Sequence, residues 1–148
     1  MCIRDSAYYE CTRDCYLAYF NEAIHDPYFQ HGYKRHCVSV PEDKPGVRYF
    51  RNSMAYAGFA LNNYNLEGVF SRYGGQLASI LDEVELVCKR DGVIIVTLDC
   101  FEPLEPIWKR HGFITEHHEN FDRDLAPANW PYLQLGEPRI AYMHKVMQ

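Results

Sequence analysis

At 148 residues, with 47% hydrophobic, 15% aromatic and 24% charged residues, the chain can build one packed core, and wholesale disorder is excluded. A net charge of −5, with basic residues scattered along the chain, argues against nucleic acid as a partner. No apolar run approaches the roughly 18 residues of a membrane span and the N-terminus lacks the charged-then-apolar order of a signal peptide, so no membrane partner is expected and the expected location is cytoplasmic.

The opening MCIRDS is what the transposon-end adapter ATG TGT ATA AGA GAC AG encodes once the next base completes it. Residues 1–6 therefore read as an adapter scar ahead of a single domain over 7–148, and any first strand is expected to be missing with the natural start. Tyr9, Tyr16, Phe20 and Ile24 recur near helical spacing and predict a helix over 7–25 that ends before Pro27. Lys34, Arg35 and His36 read as a solvated cluster beside a strand around 36–40.

Three β-like runs follow, at 47–50, 54–61 and 66–71, separated by the turn formers RNS and NNYN. Short links predict an antiparallel meander, and Gly58 and Gly68 inside the runs predict bulges or close backbone approach. From Leu77, apolar residues recur at three- and four-residue spacings through Cys88, and Gly92 stands where a helix would be capped. VIIVTL, 93–98, is apolar without alternation, as in a strand covered on both faces. Strand, turn, helix and buried strand make a βαβ unit whose two strands run parallel.

Gly74 and Gly75 fall where the strand hands over to the helix. A helix start has N–H groups without intrahelical partners and attracts anions, and bare glycine backbone lets a phosphate approach. Arg72 and Gln76 could add charge or hydrogen bonds there. A tight turn with no ligand fits the pair equally well. Neither GxGxxG nor GxxxxGK[ST] is present, which excludes the usual dinucleotide and Walker loops.

The stretch IWKRHGF, 107–113, after the buried strand resembles the helix end of the GNAT superfamily of acyl-CoA-dependent N-acyltransferases. RYGGQL, Arg72 to Leu77, is similar to that family's cofactor loop, and PRIAYMHKV, 138–146, to its last strand. The resemblance covers about residues 47–147. It implies a GNAT-like α/β fold, a meander followed by a βαβ unit, and transfer of an acetyl or other acyl group from acetyl-CoA or another acyl-CoA directly to a small-molecule or peptide amine. It further implies a cofactor-binding set of Val69, Phe70, Ser71, Arg72, Gly74, Gly75, Gln76, Leu77 and Trp108. Glu67, on the strand before the loop, is the candidate base, acting directly or through water; as an exposed strand carboxylate it would have no role.

Two positions depart from the pattern. Leu77 stands where the family has Gly or Ala, and Trp108 stands where many members have a proton-donating tyrosine. An indole N–H donates a hydrogen bond but is no useful acid. These departures motivate the rival reading, a catalytically degenerate scaffold or binding protein of the same fold, such as a phage structural or host-interaction component. Cys2, Cys11, Cys15, Cys37, Cys88 and Cys100 lack metal-site spacing and read as reduced thiols, so no metal is expected. His117 and His118, adjacent on a strand, should face opposite ways. Trp130 and Tyr132 either line a substrate pocket or anchor a loop, and an unpaired strand edge would permit a homodimer.

Overall fold

The computed structural model describes residues 8–26, 40–54, 56–72, 76–126 and 129–147. Its first element, β1, Tyr8–Cys11, is a strand where the periodicity predicts helix, so a leading strand is present and α1 spans only Arg13–Ile24. Thr12 sets the boundary: extended at φ −73° and ψ 160°, it accepts the Cys15 N–H on its hydroxyl and caps the helix. The basic cluster at 34–36 and the strand expected there, up to residue 39, lie outside the described residues.

β2, Val47–Asn52, β3, Ala57–Asn62, and β4, Asn65–Ser71, form the predicted antiparallel meander, with β1 added antiparallel at the edge beside β2. The RNS turn shifts to Ser53–Met54. Asn52 stays in β2 because its buried side-chain carbonyl accepts the N–H groups of Tyr56 and Ala57. Asn63 and Tyr64 turn β3 into β4 with φ of 49° and 63°, the pair of positive values that a two-residue hairpin needs.

Both strand glycines behave as their positions predict. A Cβ on Gly58 would sit 2.5 Å from the Phe50 carbonyl oxygen, and Gly68, at φ 54°, is pressed against the Tyr16 hydroxyl, which donates to its carbonyl. Pairing jumps from Gly58 with Phe70 to Ala60 with Glu67, so β4 carries one residue more than β3 across that step.

α2, Leu77–Asp91, buries Ile80, Leu81, Val84, Val87 and Cys88 against the sheet, and Gly92 closes it at φ 71° as predicted. β5, Ile95–Phe101, differs from its sequence reading: Val96 and Leu98 are buried under α2, yet Ile94 and Ile95 stay 65% and 46% exposed. Among the described residues one face of β5 is covered along its length while the other leaves Ile95 and Asp99 exposed, and the strand runs on through Asp99 and Cys100 to Phe101. A 3-10 turn leads into α3, Glu105–Arg110, then β6, Ile114–Glu119, the short α4, Tyr132–Leu135, and β7, Ile140–Val146. The sheet order is β1-β2-β3-β4-β5-β7-β6, antiparallel except for β4 with β5.

Two cores result. On one face, α2 and α3 pack over Leu66, Val96, Leu98, Phe113 and Met143; on the other, α1 lays Tyr16 and Phe20 over Tyr49, Ala60 and Phe70 of β2, β3 and β4. Trp130 anchors the loop before β7, donating from Nε1 to the Gly136 carbonyl at 2.9 Å and packing 4.8 Å from the Phe101 ring. Among the described residues, no helix is long and apolar enough to cross a membrane.

Candidate active site

β4 and β5 are laddered at a single pair, Asn65 with Thr97. The Thr97 N–H donates to the Tyr64 carbonyl at 3.2 Å and its hydroxyl to Asn65 Oδ1 at 2.7 Å. Beyond this link the two strands part, since β4 remains paired to β3 while its bulge at Gly68 bends it away. The divergence leaves strand backbone on either side of a slot without a ladder partner across it, which suits a ligand that brings its own amides. α2 begins at the same end: Gln76, at its N-cap, makes no side-chain cap bond and the first turn holds no acidic residue, so among the described residues no carboxylate of its own first turn offsets its positive end.

The expected cofactor set is only partly gathered here. Gly74 and Gly75 lie outside the described residues. Val69, Phe70 and Ser71 follow the bulge on β4, where Ser71 pairs with Ala57 and the Phe70 ring is buried against Tyr16 and Phe20. Gln76 and Leu77 open α2, with Leu77 packed on the core. Arg72 turns elsewhere: its guanidinium bonds Asp26 at 2.8 Å and Glu22 at 2.7 Å, tying β4 to the end of α1. Trp108 packs edge-on to Phe113 at 5.6 Å, half-buried on α3.

The α1 face of the sheet carries the acidic groups. Glu67 pairs with Ala60 on that face, and its Oε2 accepts from Asn62 at 3.1 Å and Asn65 at 3.0 Å. Across the split, Asp99 shares the face with Thr97, because Val96 and Leu98 point into the other core. Asp99 is open to solvent as a residue, yet protein around the carboxyl raises its pKa above the ordinary aspartate value, the Glu67 charge adds to this, and hydrogen bonds from Asn65 and its own backbone partly oppose it. Beside Asp99, Tyr142 donates to Glu119 at 2.9 Å and stacks on His117 at 4.6 Å; burial and then the Glu119 contact hold its phenol above the usual range.

Asp99 escaped the sequence reading, which ended the strand at residue 98. The available signal was a carboxylate at the C-terminal end of a parallel strand, the usual place for chemistry in α/β sheets.

His118 points to the opposite face from His117, as expected. Its Nε2 lies 3.0 Å from Oε1 of buried Glu105, which also accepts from Thr115. Those contacts, Thr115 first, hold the Glu105 carboxyl below its usual range. Donor atoms of Glu102, Glu105 and His118 lie within 4.8 Å of one another, near enough to share a cation, but Arg139 and Lys109 already balance the two carboxylates. Burial, then the charges of Glu105 and Asp99, push the Cys100 thiol up to about 12, which disqualifies it as a nucleophile at neutral pH.

No family model and no curated protein sequence matches this chain. Solved structures do. A GCN5-related N-acetyltransferase from Rhodopseudomonas palustris superposes with a TM-score of 0.65 over 99% of both chains at 10% identity. A spermidine N-acetyltransferase chimera from Vibrio cholerae gives 0.63 over 96% of this chain and 95% of its own at 10% identity. A GNAT-family acetyltransferase from Staphylococcus aureus gives 0.53 over 96% and 99% at 14% identity. The chain therefore has the GNAT fold.

Proposed function

We propose that the protein is an N-acyltransferase that moves an acetyl or other acyl group from acyl-CoA directly to the amine of a small molecule or peptide. The parted strands β4 and β5 carry this reading, since their unpaired edges offer amides and carbonyls to a pantetheine arm. The positive start of α2, with the preceding Gly74 and Gly75 and with Gln76, would hold the pyrophosphate. N–H groups near Val69 to Ser71 would polarise the thioester carbonyl. With Leu77 packed on the core, its backbone rather than its side chain would face the ligand, and Trp108 would supply an apolar wall.

In the reaction the amine nitrogen bonds the acyl carbon, the carbon–sulfur bond breaks, and the thiolate takes a proton from water, because an indole cannot supply one. The proton from the amine passes to a carboxylate on the α1 face at the parting of β4 and β5, where Glu67 is the candidate the sequence offers. Amines as small as spermidine suit this exposed acidic face, in keeping with the Vibrio chimera.

Calorimetry with acetyl-CoA and free coenzyme A tests the reading. Binding by the unaltered protein, lost in Gly75→Asp, is the expected result. No heat from the unaltered protein at millimolar ligand would overturn it in favour of a scaffold of the same fold.

A further inference from the structure

We infer that Asp99 is the group that takes the proton from the acceptor amine, with Glu67 as the positioning residue beside it; this rests on the acyltransfer reading above. Three observations point there. Asp99 stands on β5 past the single link to β4, where the strands have opened, and shares the α1 face with Glu67. It remains solvent-exposed, so a proton taken from an amine can pass on to water. Glu67, in contrast, has its Oε2 occupied by the amides of Asn62 and Asn65, an arrangement that fixes the carboxylate in place.

Asn65 joins the two sides. Its side chain donates to Glu67 on β4 and accepts from the Thr97 hydroxyl on β5. The groups facing Asp99 are Glu67 and Asn65 on β4, Thr97 on its own strand, Tyr142 and farther along His144 on β7, and Glu119 and His117 on β6. The charge that bears on it most is the negative one of Glu67. Repulsion and partial withdrawal from water both strengthen its hold on a proton, which suits a base that must relieve an ammonium near neutral pH.

An ammonium N–H proton moves to an Asp99 oxygen and on to solvent, and the freed lone pair attacks the thioester carbonyl carbon; the tetrahedral adduct then gives its second N–H proton to Asp99 as the carbon–sulfur bond breaks, and the thiolate takes a proton from water. Glu67 steadies the ammonium before transfer and raises the basicity of its neighbour.

The test follows thiol release from acetyl-CoA with a panel of primary amines that includes spermidine, across pH, in the unaltered protein, Asp99→Asn, Asp99→Glu and Glu67→Gln. Asp99→Asn is expected to lower kcat by about 100-fold or more while leaving acetyl-CoA binding within about twofold, with part of the rate restored in Asp99→Glu. Glu67→Gln should keep the acidic limb of kcat/KM and move it to lower pH, because the repulsion is gone. An unchanged kcat in Asp99→Asn, or loss of the acidic limb in Glu67→Gln, overturns the assignment without touching the acyl-CoA reading, which calorimetry decides separately. Should no amine in the panel turn over, carbon-13 carboxyl titration decides instead: Asp99 is expected above about 3.9 and lower in Glu67→Gln. An Asp99 at the ordinary value, unmoved by that substitution, refutes the inference.

Discussion

The same face of the sheet is treated in two ways. Over β2, β3 and β4 it is sealed by α1, whose Tyr16 and Phe20 meet Tyr49 and Phe70 with ring centroids 5.3 to 5.6 Å apart. Over β5, β7 and β6 the described residues leave it open apart from Trp130 on Phe101, and Asp99, His117 and Glu119 are exposed there. The seam between the halves is the split itself. One half supplies the rigid aromatic platform that holds the bulged strand, and the other leaves polar groups in contact with water, where protons can be exchanged. A site that must be both well positioned and wet gains from this division.

The contrast can be broken most severely in the sealed half. Phe70→Ala removes a ring that is 1% exposed and should cost about 3–5 kcal/mol in urea unfolding, against less than about 0.5 kcal/mol for His117→Ala on the bare half. Similar losses from both substitutions would mean that the bare half is covered in solution. Tyr16→Phe is a finer cut. It keeps the ring and deletes the hydroxyl that donates to the Gly68 carbonyl, so a loss of about 1–3 kcal/mol is expected, with thiol release falling as the bulge loosens. Full stability in that variant would show that the bulge needs no such tie.

The smallest effect concerns pH. The folded state raises the Asp99 pKa, so the native protein binds that proton more tightly than the unfolded chain and is penalised as pH climbs from the unfolded value through the folded one. Asp99→Asn removes the penalty. The variant should therefore match or exceed the unaltered protein in urea midpoint at pH 7, with the advantage gone near pH 3. A lower midpoint at pH 7 alone would show that Asp99 stabilises the fold through its charge.

Much of the architecture was legible because it is local. Turn residues placed the meander, the three- and four-residue spacing placed α2, and Gly58, Gly68 and Gly92 marked bulge and cap correctly. The first helix was overextended because Tyr9 continues its periodicity, while Thr12 ends the strand that Tyr9 belongs to. β5 was misread for a related reason: an unbroken apolar run states that a strand is hydrophobic, not how many of its faces find a partner.

By itself, then, the sequence determined the order of elements from β2 through β5 and the residues that bracket a possible anion site, since capping, turning and amphipathicity act over a few residues. Only the tertiary structure decided what the charged side chains do. Arg72 meets Asp26 and Glu22, 46 and 50 positions away, because α1 lies across β4; Asp99 feels the charge of Glu67 because a parallel crossover brings two distant strands to one parting seam. Electrostatics follow distance in space, and the fold alone sets that distance.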